Sequence, residues 1–261
     1  MQARDILIYL SIKYDGNYLD IMEAIKQKQT FDEQEAEKTL KEKDFNAITI
    51  LDREYPASWK NCVRPPLVVF YRGDFSLIKD ENKCVSYVGS RIASPYGLKM
   101  ANYFAGGLAK NGFVVVSGLA RGIDSEATKA ALEAGGKAVA ILGSGVDFCY
   151  PSSSSDLYEK LKSTGLILSE YPFKTEPKQQ NFPERNRIIA ATSHLLVVGE
   201  SGQKSGTLIT VSFALSFNKD IACVPFPACE NSSCNTLIRD GAYLIDSLSD
   251  LLYLAGGRSS E

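Results

Sequence analysis

Along residues 1–47, apolar side chains return every three or four positions. ARDILIYLSIKY and YLDIMEAIKQ both carry that spacing, which predicts helices. FDEQEAEKTLKEKDF mixes both signs of charge and sets Glu37 four residues before Lys41, so it reads as a solvated helix face. Residues 48–73, ITILDREYPASWKNCVRPPLVVFYRG, hold two short β-like runs around a proline-containing connector, and Pro65-Pro66 punctuates the second. The boundary is expected here, between a helical N-terminal region at 1–47 and a main domain at 48–261. From residue 83 the rhythm changes to short β-rich runs: KCVSYVG, FVVVSG, KAVAILG, GLILSE, HLLVVGE and DIACVP. Such runs suit strands buried on both faces, and most are separated by helix-length segments. The alternation predicts right-handed βαβ crossovers and an α/β fold with a doubly wound, mostly parallel sheet. SSSS at 152–155 is expected to start a helix, capped in the register Ser-x-x-Asp.

Composition narrows the function. The 261 residues are enough for one large α/β domain or two small ones, and 44% are hydrophobic. No apolar run reaches the ~18–20 residues needed to span a bilayer. The start, MQARDILIYLSIKYDG, lacks the long apolar core and cleavage site of a signal peptide, so a cytoplasmic location without membrane partners is expected. Six cysteines include no C-x-x-C pair and read as free thiols. Cys223, Cys229 and Cys234 are poorly spaced for zinc and lack a nearby histidine, so no metal site or cofactor is expected. The one histidine, His194, opens the run HLLVVG, an unpromising position for a Ser-His-Asp hydrolase. A formal net charge of −2 does not announce a nucleic-acid binder, so any such binding must come from a local patch.

The strand ends supply a candidate. GSRIASPYG, GLARGIDSEA, GSGVDFCYP and GESGQKSGTLIT follow four of the runs, and all four would face one edge of the sheet. Glycines let backbone N–H groups approach a ligand, and helix N-termini present unpaired N–H groups with a partial positive charge; together they favour anions. Arg91 and Arg121 add cations, and Ser90, Ser205 and Thr207 add short donors. None of the loops is a Walker motif, and GSGVDF lacks the third glycine of the dinucleotide fingerprint because position 148 is Phe. Asp124 and Glu200 are the carboxylates on that edge. Asp124 is expected to hydrogen-bond a loop or orient Arg121, and Glu200 to pair with Arg185 or Arg187. No aligned nucleophile, base and oxyanion hole is apparent.

The stretch KTEPKQQNFPERNR, residues 174–187, carries four positive and two negative groups. Pro183 suits the first turn of a helix. Arg185 and Arg187 then fall near that helix's N-terminus, where the dipole disfavours cations unless an anion arrives. Phe182 is expected just outside the helix, either stacking on an unpaired base or tucked in as a hydrophobic staple.

Taken in order and spacing, GSRIASPYG, VVSGLARGIDSEA, LGSGVDFCYP, LSE, FPERNRIIAATS and SGTLIT resemble the DNA-processing protein A (DprA, or Smf) family over roughly residues 50–246. The resemblance implies a Rossmann-like domain that binds single-stranded DNA without known catalysis, protects incoming strands during natural transformation and helps load the recombinase RecA. It also implies a homodimer. Carried over by motif, the DNA site would comprise Gly89, Ser90 and Arg91; Gly118 and Arg121; Phe182, Arg185, Asn186 and Arg187; and Ser205, Gly206 and Thr207. Three departures stand out. Thr128 replaces a frequent histidine, Phe226 replaces a glycine in VPFP, and the winged-helix domain that many relatives add is not expected beyond YLAGGRSSE. The alternative is a related Rossmann-like hydrolase of nucleoside monophosphates, with Glu200 and the SGT loop at the nucleotide; a third reading is an interaction scaffold with no ligand at the strand ends.

Overall fold

The computed structural model describes residues 1–41, 44–230 and 232–256; positions 42 and 43 of the charged run and 257–261 of the terminal YLAGGRSSE lie outside them. Three helices come first, α1 (Ala3–Lys13), α2 (Tyr18–Lys26) and α3 (Glu33–Lys41). Asn17 caps α2 by accepting from the N–H groups of Leu19 and Asp20. Glu37 and Lys41 pair at 3.2 Å on the exposed face of α3. Leu7, Ile8 and Leu10 of α1 are buried in the same core as the strands. Arg4 ties that helix down, donating to Asp52 at 2.9 Å and to the carbonyl of Ala47 at 2.8 Å.

The two β-like runs are β1 (Asn46–Thr49) and β2 (Val68–Gly73), an antiparallel pair. Between them, a short 3₁₀ turn at Ala57–Asn61 carries Trp59, which is fully buried and donates its indole N–H to Thr192 at 2.9 Å. All six apolar runs after residue 83 are strands. In chain order the elements are β3 (Cys84–Gly89), α4 (Pro95–Lys110), β4 (Val114–Ser117), α5 (Ile123–Glu133), β5 (Lys137–Ile141), α6 (Ser155–Thr164) and β6 (Leu166–Ser169). They continue with α7 (Asn181–Thr192), β7 (Leu195–Glu200), α8 (Thr207–Ser216), β8 (Asp220–Cys223), α9 (Ser233–Arg239), β9 (Tyr243–Leu244) and α10 (Leu248–Ala255). Helix α6 starts where the serine run predicts, but no serine side chain caps it; 152–154 form a 3₁₀ turn that leads into the helix. His194 lies just before β7, its Nδ1 at 3.1 Å from the carbonyl of Glu81.

One sheet orders the strands β1-β2-β6-β5-β4-β3-β7-β8-β9. Strands β6 through β9 in that order run parallel, and β2 joins β6 antiparallel. β4 is Val-Val-Val-Ser and buried at every position, as a strand covered on both faces must be. The winding reverses between β3 and β7. From β3 the chain proceeds outward through β4, β5 and β6; from β7 it proceeds the other way through β8 and β9. In an open α/β sheet this reversal leaves a crevice at the carboxyl ends of the two strands, where ligands bind.

Candidate functional site

A trough of 500 Å³ fills that crevice. The end of β3 and the loop after it supply Gly89, Ser90, Arg91 and Ile92 to one wall, and the loop after β7 with the first residue of α8 supplies Gly202 and Lys204–Thr207 to the other. The first turns of α7 form the floor with Phe182, Pro183, Arg185 and Asn186. A smaller cavity of 220 Å³ adjoins the trough and shares Arg91, Ile92, Ala120 and Phe182 with it; Gly118, Arg121, Gly143 and Tyr150 lie on its far side. All four glycine-rich loops therefore converge on one edge of the sheet.

Local interactions hold the loops in place. Ser90 receives a hydrogen bond from the N–H of Ile92 and donates to that residue's carbonyl at 2.7 Å, a tight turn that turns Arg91 outward. The N–H of Ser90 donates to the carbonyl of Glu200 at 2.8 Å, and its carbonyl accepts from Ile123 at 3.1 Å. Gly122, at φ +79°, lies against the Ser90 carbonyl, so a side chain there would be strained and would also collide with the loop. Asp124 accepts from the N–H groups of Gly89 and Gly118, both at 3.2 Å, so it joins two loops rather than orienting Arg121. Burial raises its carboxyl pKa, while nearby Arg185 and the amide donors act the other way. On the far wall, Ser205 accepts from the N–H of Thr207 and donates to its hydroxyl at 2.9 Å, fixing the turn that opens α8 into the trough.

Glu200 does not pair with either arginine of α7. Its carboxylate accepts from the N–H and hydroxyl of Ser94, both at 2.9 Å, where the N-terminus of α4 favours an anion. Phe182 is the second residue of α7 rather than a residue outside it. Its ring is half-buried, 5.6 Å from the ring of Tyr150, with the Arg91 guanidinium 5.2 Å and that of Arg185 6.0 Å from its centre. Asn181 anchors this turn by donating to the carbonyl of Gly143 at 3.0 Å.

The two arginines of the FPERNR stretch depart from expectation. Arg185 borders the trough but is buried, and its guanidinium turns inward to the carbonyls of Gly118 (2.8 Å) and Ile141 and to the Asn186 side chain (3.1 Å). Burial lowers its pKa to about 10, which leaves it charged at neutral pH. Gly118 packs so closely on Arg185 and Asp124 that a β-carbon would lie 2.7 Å from the guanidinium. Arg187 does not line the trough. It is buried on the other side of α7, ion-paired to Glu170 at 2.5 Å and bonded to the carbonyls of Arg64 and Glu184. Burial alone would lower its pKa, but the surrounding acidic groups together, Glu170 foremost and then Cys62 and Glu184, raise it. Thr128 is buried behind Asp124, to whose carbonyl it donates, and Phe226 packs edge-on against Tyr96; neither borders the trough.

Among the residues lining the two cavities, Arg91, Arg121 and Lys204 are exposed cations, and the one carboxylate is the buried Asp124. Lys204 was not singled out in the sequence, although it stands within the glycine-rich run SGQKSGT.

The model of the family described as DNA recombination-mediator protein A matches residues 46–256, most of the chain. The chain belongs to that family. Among relatives of this recombination-mediator family, the DNA processing protein DprA of Streptococcus pneumoniae is 38% identical over 210 residues, covering 80% of this chain and 73% of that protein. Protein Smf of Synechocystis is 37% identical over 219 residues, covering 82% of this chain but 55% of its own length. The Bacillus subtilis DprA is 34% identical, covering 71% of this chain and 62% of that protein. This family member thus spans little more than half to three quarters of these relatives. The X-ray structure of the S. pneumoniae protein superposes with a TM-score of 0.79 at 36% identity, covering 90% of this chain and 81% of that one. A Helicobacter pylori DNA processing protein A, described for its single-stranded DNA binding mode, gives 0.73 at 28% identity over 80% and 95% of the two chains.

Proposed function

We propose that this chain binds single-stranded DNA in the switch-point trough and serves as a recombination mediator rather than an enzyme. The observation that carries the reading is the local charge. A chain of net charge −2 gathers Arg91, Lys204 and Arg121 around a glycine-lined crevice whose one carboxylate is buried and bonded. Backbone phosphates would lie along the Arg91 loop and the first amides of α8, next to Ser205, Gly206 and Thr207. Phe182 would meet a base, and Gly89, Ser90, Gly118 and Asn186 would shape the walls. Arg185 and Arg187 act as framework in this reading, because their guanidinium groups are committed to protein oxygens. Family membership supports the wider role of protecting incoming strands and delivering them to RecA, as a cytoplasmic homodimer. No described helix is long and apolar enough to cross a membrane. Nucleotide hydrolysis draws no support from Glu200, whose carboxylate is occupied by Ser94.

A duplex does not offer a free base face, so single strands should bind more tightly. The test is fluorescence anisotropy with a labelled single strand, competed by unlabelled single-stranded and duplex DNA of the same sequence. The single strand should displace the label at much lower concentration than the duplex; equal competition would contradict the reading. A light-scattering mass corresponding to one chain at working concentrations would contradict the dimer.

A further inference from the structure

We propose that Glu200 is a positioning residue for DNA binding: it holds the Arg91 loop at both ends and so sets where Arg91 meets a phosphate; this rests on the DNA reading above. Neither Glu200 nor Ser94 lines the trough, so the effect passes through the loop that they anchor. That loop leaves β3 at Gly89 and enters α4 at Pro95. At its start, the N–H of Ser90 donates to the Glu200 carbonyl at 2.8 Å. At its end, the N–H and hydroxyl of Ser94 donate to the Glu200 carboxylate, both at 2.9 Å. One residue of β7 therefore closes the span from Ser90 to Ser94. Ile92, beside Arg91 at the tip, is 91% exposed, so packing does little to hold the loop there and the bonds at its base must do it.

The sheet sets Glu200 up for this. β3 and β7 pair in register from Val85 with Leu195 to Val88 with Val198, and then the register shifts so that Gly89 meets Glu200. Such an irregularity re-aims a side chain, because successive strand residues point to opposite faces. On the α4 side Gly97 makes the room: a β-carbon there would lie 1.9 Å from Oε2 of Glu200. Ser94 also caps α4, accepting from the N–H of Gly97 at 3.0 Å, so the helix start, the loop and the carboxylate form one unit. Charge alone predicts the opposite of positioning. Removing a carboxylate close to a site for phosphates should strengthen binding by Coulomb attraction. Removing a clamp on the Arg91 loop should weaken it, so the sign of the change separates the two effects.

The test places Glu200→Ala and Glu200→Gln each in the wild-type chain and in Arg91→Ala, and follows the anisotropy of a labelled oligothymidylate across a salt series. Glu200→Ala should weaken binding about fivefold and make the slope of log affinity against log salt shallower by about 0.7, the share of one phosphate contact. Glu200→Gln should lose less, because its amide oxygen can still accept from Ser94. In the Arg91→Ala chain neither substitution should weaken binding further, because the contact through which both act is already gone. If Glu200→Ala does not fold, the loss in Glu200→Gln and its disappearance in the Arg91→Ala chain decide the matter. Tighter or unchanged binding by the deciding variant, or equal losses in both chains, would overturn the positioning role and leave the DNA reading standing. Wild-type affinity in Arg91→Ala alone would remove Arg91 from the site and the positioning role with it. Failure of the wild type to bind the strand would overturn the DNA reading itself and, with it, the positioning role.

Discussion

Arg185 and Arg187 are two residues apart on α7, and a helix separates such positions by about 200°. They cannot serve one surface. The face made by Phe182, Arg185, Asn186 and Ile189, at spacings of three, four and seven, is the one that borders the trough. Arg187 faces the opposite way and meets Glu170. That division was legible in the helical spacing, but a cluster of charge at a helix N-terminus suggested an anion for both. The partners that neutralise them lie elsewhere in the chain, and only the fold brings them close. The two positions should therefore fail differently when mutated. Arg187→Ala leaves Glu170 as a buried, unpaired carboxylate and should cost about 3–5 kcal/mol of stability, seen as a large fall in thermal midpoint. Phe182→Ala removes a half-buried ring and should leave the midpoint close to wild type while weakening single-strand binding by about 1–3 kcal/mol. A large midpoint loss for Phe182→Ala with unchanged binding would make Phe182 a packing residue.

At the scale of elements, the strands were the most legible part. Runs such as VVVS and LLVVG are apolar without alternation, which only strands buried on both faces tolerate. The glycines after them marked the loops that converge. Which loop binds which was not legible, because those contacts depend on hydrogen bonds between distant segments. Glu200 illustrates this: its charge suggested an arginine partner, yet the N-terminus of α4 lies next to it in the fold and takes it through Ser94. Gly122 shows how the loops depend on one another. At φ +79° it admits the close approach of the α5 turn to Ser90 and Arg91. Gly122→Ala should displace the Arg91 loop, costing at least about 1 kcal/mol of stability and lowering DNA affinity together. Chemical denaturation and anisotropy on the same sample would check this, and an unchanged affinity would detach the loop from the site.

For the whole molecule, net charge is a poor guide to where charge acts. The chain totals −2, but the topological reversal between β3 and β7 brings together loops whose exposed charges are positive. Arg91 and Lys204 are over a hundred residues apart in sequence and face each other across one crevice. If phosphates bind there, each contact releases counterions, and for single strands the slope of log affinity against log salt changes by about 0.7 per phosphate neutralised. The decisive measurement is that slope for the wild type and for the double variant Arg91→Ala, Lys204→Ala, by anisotropy with a labelled single strand across a salt series. The account predicts weaker binding at every salt concentration and a slope shallower by about 1.4. A double variant with wild-type affinity and slope would contradict it.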